Sequence, residues 1–172
     1  MVETINTGHA GIAAIGKNQR GGLFFESYDN AYAYWPGAFV SSAFPSVILE
    51  FEKNHLVPSF ERMKKPAPSL AIIRKKALFA ASQLNNLPYV GSVDGFYDAG
   101  SLFKEDVKDF SSTFYSEMLD LIYSGNELLA WQFFDLTWPN NKAGKDIFLR
   151  EFKKRLSESS YWQSIMERGK KK

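Results

Sequence analysis

Two histidines, His9 and His55, are the only imidazoles in this chain. Either could serve as a general base near neutral pH, and Glu26 and Asp29 lie close enough to His9 in sequence to orient it. Neither histidine falls in a spacing that builds a metal site or a catalytic triad. A small enzyme using His9 with Glu26 or Asp29 is one reading, but no substrate comes with it. Gly11-Ile12-Ala13-Ala14-Ile15-Gly16-Lys17 meets the GxxxxGK spacing of a phosphate-binding loop, yet Asn18 stands where a magnesium-binding Ser or Thr belongs. The interior is Ile-Ala-Ala-Ile, and NQRGG cannot begin the helix whose N-terminal amides would wrap a phosphate. The segment reads as a strand with glycines at its ends.

Asp94, Asp98 and Glu105 fall at positions 1, 5 and 12 of an EF-hand spacing. Position 3 is Phe96 and the turn glycine is replaced by Ala99, so the calcium loop fails on two requirements. Asp94-Gly95 reads instead as a turn, with Glu105 and Asp106 favouring the N-terminal end of the next helix through its dipole. Glu50 and Glu52 superficially resemble a nuclease strand. Phe51 occupies the position two before Lys53, so that pattern fails and the pair reads as a polar face. With no cysteine in the chain, disulfides, thiol catalysis and Cys-ligated zinc are excluded. No cofactor and no metal are expected.

Charge is clustered. Arg62, Lys64, Lys65, Arg74, Lys75 and Lys76 form a basic group, and Asp94, Asp98, Glu105, Asp106, Asp109, Glu117 and Asp120 an acidic one. Two readings are open: solvated helix faces that pair with each other, or a polarised surface that steers a charged macromolecule. Net charge is +2, and Lys170, Lys171 and Lys172 supply three of the 21 basic residues. The remainder carries 18 against 19 acidic residues, which disfavours general nucleic-acid affinity.

The helix expected over PSLAIIRKKALFAASQLNNLP, residues 68–88, is the centre of the domain. Leu70, Ile73, Ala77, Ala81 and Leu84 recur at helical spacing, and Ile72, Leu78 and Phe79 widen the stripe until it nearly surrounds the axis; such a helix is expected to be buried. Ser69 caps its start, and Asn85-Asn86 followed by Pro88 ends it.

Six of the twelve glycines lie in residues 1–40, where two β-favouring runs flank KNQRGG and predict a hairpin. Pro45 can sit in the first turn of a helix to about Asn54, although VILEFEK also alternates like a strand. Further helices are expected over PSFERMKK, from Ser101 or Phe103 to a closing Gly125, over Glu127–Leu136, from Asn140 or Asn141 with Ile147, Phe148, Phe152 and Leu156 inward and Glu151 paired with Arg155, and around Tyr161, Trp162, Ile165 and Met166.

The expected fold is therefore α+β: a mainly helical core with an N-terminal β-hairpin or small antiparallel sheet. Residues 1–168 form one globular domain and 169–172 a disordered basic tail. No apolar run approaches the ~20 residues of a membrane span and no basic segment precedes GIAAI in the manner of a secretory signal, so a cytoplasmic protein is expected. Aromatic residues make up 16% of the chain, enough to build a core and to furnish an interface.

The segment FFDLTWPNNKAGKDIFLREFKKRLSESSYWQ, residues 133–163, resembles the C-terminal parts of bacterial immunity proteins that accompany polymorphic toxins, including those of contact-dependent inhibition systems. Such proteins share no common fold, so the resemblance implies a role. It implies a non-enzymatic protein that binds one toxin domain and occludes its active site. Asp94, Asp98, Glu105, Asp106 and Asp109 would then be the contact surface for a basic toxin, and reversing Asp98, Glu105 and Asp109 to lysine should slow association. Nucleic-acid binding through residues 62–76, with nearby aromatics for stacking, is the alternative.

Overall fold

The computed structural model describes residues 11–17, 21–35, 42–52, 55–85, 106–138 and 144–169. Four strands, β1 (Ile12–Lys17), β2 (Leu23–Tyr28), β3 (Ser46–Glu52) and β4 (His55–Pro58), pair antiparallel in the order β1-β2-β3-β4. A 3₁₀ turn, Asn30–Tyr32, follows β2. The helices are α1 (Phe60–Met63), α2 (Leu70–Asn85), α3 (Asp106–Tyr123), α4 (Glu127–Thr137), α5 (Lys145–Glu158) and α6 (Ser160–Gly169). An N-terminal antiparallel sheet beside a larger set of helices makes the fold α+β, as the sequence predicts.

The segment after Pro45 is a strand, and the helical reading of it is wrong. Val47 and Leu49 are buried on one face while Ser46, Ile48 and Glu50 are only half-buried, which is the period of two that a strand imposes. The Pro45 carbonyl accepts a hydrogen bond from the Asp29 amide at 2.9 Å, so it prolongs the β2–β3 pairing. β4 has four residues and ends on Pro58, which stands opposite Leu49; proline is tolerated there because the strand is at the sheet edge.

Gly16, flagged by the phosphate-loop spacing, has a packing role. It pairs with Phe24 across the ladder, and a Cβ at Gly16 would lie 2.2 Å from Phe24 Cζ. The ring covers the glycine, and the Arg62 guanidinium lies over the same ring, 4.8 Å from its centroid.

The core is aromatic. Phe114 and Tyr115 of α3 are fully buried, and Phe114 lies 5.5–5.9 Å from the rings of Phe148, Phe133 and Phe134. Tyr115 stacks on Phe148 at 5.3 Å and meets Trp35 at 5.0 Å, so α3, α4, α5 and the segment after β2 share one cluster. Each such ring buries about 150–250 Å².

α3 ends in a Schellman motif: the Asn126 amide donates to the Leu121 carbonyl at 2.8 Å and the Gly125 amide to Ile122 at 3.1 Å. Gly125 takes φ +82°, and a Cβ there would lie 3.2 Å from Phe60 Cζ. Gly125→Ala should therefore cost about 1–2 kcal/mol in urea unfolding, whereas an unchanged midpoint would mean the turn relaxes freely.

α2 departs most from expectation. Ile73, Ala77, Ala80 and Leu84 are buried, but Leu70, Ile72, Leu78 and Phe79 are 49–71% exposed. It packs on α4 and α3 along one stripe only. Ser69 does cap it, weakly, accepting from the Ile72 amide at 3.4 Å. In α5, Phe148, Phe152 and Leu156 face inward, and Arg155 pairs with Glu158 at 3.0 Å where the sequence spacing had suggested Glu151.

Candidate functional site

Of the acidic residues assigned to partner binding, Asp94, Asp98 and Glu105 lie outside the described residues. Asp106 opens α3 and Asp109 follows in its first turn, with their side chains also outside the description. The remaining acids of the cluster are engaged within the fold. Glu117 accepts from Lys76 at 2.6 Å, and Asp120 pairs with Lys65. On the basic side, Arg62 bonds Glu50 at 2.5 Å and Lys64 bonds Glu61 at 3.0 Å. Four of the six cations between positions 62 and 76 are thus neutralised locally, two of them by the acidic cluster itself. The concentrated field that nucleic acid requires is dispersed. Arg74 and Lys75 are exposed and have no ion-pair partner among the described residues.

His9 lies outside the described residues, so its pairing with Glu26 or Asp29 has no geometry to report. Glu26 and Asp29 are themselves separated in role. Glu26 accepts from Ser46 Oγ at 2.8 Å and lines a surface cleft of about 170 Å³ with Ile48, Arg62, Lys65 and Tyr123. This cleft is smaller than the ~300 Å³ at which ligand pockets begin, and its cations Arg62 and Lys65 are paired with Glu50 and Asp120. His55 is an exposed residue at the start of β4, opposite Glu52. Among the described residues no group of three or more His, Asp or Glu side chains is placed to hold a metal ion, and no helix is long and apolar enough to cross a membrane.

Asp29 is buried, 3% exposed, in a network that the sequence does not reveal. Its Oδ1 accepts from the Ala31 amide at 2.8 Å, capping the 3₁₀ turn. Its Oδ2 accepts from the Tyr123 hydroxyl at 2.5 Å and from the Ser159 hydroxyl. Tyr32 Oη lies 3.2 Å from Tyr123 Oη and, since Tyr123 donates to Asp29, Tyr32 is the donor. Ser159 Oγ in turn accepts from the Trp162 amide at 2.9 Å, which makes Ser159 the N-cap of α6. One carboxylate thus joins the end of β2, the C-terminus of α3 and the α5–α6 junction. The one local signal was Ser159 ahead of an aromatic helical stretch; the partners lie 94 and 130 residues from Asp29.

The hydroxyls around this carboxylate are held protonated. Burial, with neighbouring Tyr32 and Asp29, pushes Tyr123 far above the ordinary tyrosine value of 10.0, and burial raises Tyr32 likewise. A raised pKa in the native state means that stability is present below pH 10 and is lost above it, as unfolded tyrosine ionises first. Each of the two should subtract about 1.4 kcal/mol per pH unit above pH 10. Urea unfolding between pH 9 and 11.5 checks this: Tyr123→Phe should remove about 1.4 kcal/mol per pH unit from the downward slope above pH 10, and an equal slope in both proteins would refute it. A buried, fully bonded set of this kind holds elements together and leaves no group free to act on a substrate.

An open apolar surface lies on α2. Ala71, Ile72, Lys75, Leu78, Phe79 and Ser82 share its outward side, all exposed. Phe79 is 57% and Leu78 71% exposed, and the helix beneath them is anchored by four buried residues and the Lys76–Glu117 pair. No protein-family model, curated protein or solved structure matches this chain.

Proposed function

We propose that this protein is a cytoplasmic protein-binding inhibitor of the immunity type, which neutralises a toxin domain by covering its active site. The observation that carries the reading is the outward side of α2, where Ile72, Leu78 and Phe79 surround Lys75 with Arg74 beside it. Large apolar side chains on a helix form the buried centre of an interface, and the exposed cations Arg74 and Lys75 set its polarity. Charge complementarity commits the partner to a patch that is apolar at its centre and acidic around Lys75. The resemblance of residues 133–163 to immunity proteins supports the toxin as that partner. Asp94, Asp98, Glu105, Asp106 and Asp109 are the second contact set of this reading, for a basic toxin, and reversing Asp98, Glu105 and Asp109 to lysine tests it by the association rate.

The test is capture from the native cells with the tagged full chain, under nuclease treatment and a salt series. One stoichiometric protein should be retained by the wild type and lost by Phe79→Ser. Its toxic domain should arrest growth when expressed alone and not when this chain is co-expressed. Retention of that protein by Phe79→Ser would remove α2 as the contact, and unrelieved growth arrest would remove the inhibitor reading. Nucleic acid recovered only at low salt would move the assignment to the basic residues 62–76.

A further inference from the structure

Among the described residues β1 forms one edge of the sheet, and five of its six residues are exposed. Edge strands offer unpaired backbone N–H and C=O groups, and proteins usually blunt them with charge or proline. From Gly11 to Gly16 β1 has neither. The register shifts between Ile12 and Ala14, so that Ile12 stands opposite Ser27 and Ile15 opposite Phe25. Without that bulge, residues three apart would point to opposite faces; with it, both isoleucines share the face of Phe25, Val47 and Leu49. On that face Ile12 is 45%, Ile15 64% and Phe51 53% exposed, with the rings of Phe25 and Phe51 5.8 Å apart.

The segment Gly11-Ile12-Ala13-Ala14-Ile15-Gly16 reads the same in both directions. We propose that two copies of this chain pair through β1, antiparallel about a two-fold axis between Ala13 and Ala14, to make one continuous sheet. In that pairing Ile12 meets the other copy's Ile15, Ala13 meets Ala14, and Gly11 meets Gly16. The bulge then gathers all four isoleucines on one face, and alanine and glycine let the backbones approach. A two-fold interface must be its own complement, and a palindromic strand is. Charge agrees: Lys17 falls just outside the paired stretch, so the two ammonium groups sit about 24 Å apart along the ladder, well beyond the ~8 Å screening length. A six-residue edge buries less than the ~1,200 Å² of a standard interface, so the dimer is a reversible one. It is independent of the α2 surface and of the partner bound there.

Sedimentation of the full chain from about 5 to 500 µM tests this. The wild type should pass reversibly from monomer to dimer within that range. Ile15→Lys should weaken the dimer at least about 30-fold, and Ile12→Asp should do the same. Both side chains are exposed in the monomer, so the circular dichroism melts should not change. Mixing the two variants should restore association, because the introduced carboxylate then faces the introduced ammonium across one half of the ladder. A wild type that stays monomeric at 500 µM, a dimer indifferent to Ile15→Lys, or a mixture that fails to associate would each overturn the proposal.

Discussion

Asp29→Ala should cost about 3–5 kcal/mol of stability, as expected when several buried hydrogen bonds to one carboxylate are lost together. The carboxylate accepts three hydrogen bonds, from the Ala31 amide and from the hydroxyls of Tyr123 and Ser159. Without it, three buried donors lose their acceptor, at about 1–3 kcal/mol each before relaxation. In a chain of this length the melting temperature should fall by roughly 10 °C. Asp29→Asn should cost less, since its carbonyl can still cap the 3₁₀ turn while its NH₂ cannot accept from Tyr123 and Ser159. A double-mutant cycle with Tyr123→Phe should show the two losses to be less than additive by at least ~1 kcal/mol. An alanine variant within 1 kcal/mol of the wild type would show that the network does not hold the sheet to the helices.

Phe79→Ser combined with Lys75→Glu should leave stability unchanged and abolish partner binding. Phe79 is 57% exposed and Lys75 exposed, so neither packs the core, and surface substitutions away from core features usually fall within ±0.5 kcal/mol. An aromatic anchor at the centre of an interface is worth 2 kcal/mol or more, and reversing the adjacent cation adds repulsion against an acidic partner. Together they should weaken affinity by at least about 100-fold, with Lys75→Glu alone acting mainly on the association rate and most strongly at low salt. Leu84→Ala provides the contrast, since Leu84 is fully buried on the opposite stripe of the same helix. It should destabilise by about 2–5 kcal/mol, while the protein that remains folded should bind normally. Full partner affinity in the Phe79→Ser, Lys75→Glu protein would remove the α2 surface from the mechanism.

Local chemistry decided much of the fold. The hairpin of β1 and β2, the Gly125 stop after α3, the break before Trp138 and the inward row Phe148, Phe152, Leu156 all rest on interactions between near neighbours: turn glycines, capping geometry and helical spacing. These act in the same way whatever lies around them. Where two local signals competed, at Pro45 and VILEFEK, the ladder to β2 chose the strand, because β2 supplied a pairing partner that a helix could not use.

Tertiary structure decided the rest. An apolar stripe wide enough to bury α2 met neighbours on only one side, so composition alone could not separate its core half from its exposed half. Lys65 and Lys76 of the basic cluster paired with Asp120 and Glu117 of the acidic one once α2 and the segment before it lay against α3. Asp29, one aspartate among several in the sequence, became the buried centre of a network because residues 94 and 130 positions away arrived beside it. Burial removes water as the competing partner, and which hydrogen bonds and charges then matter depends on contacts that only the folded chain creates.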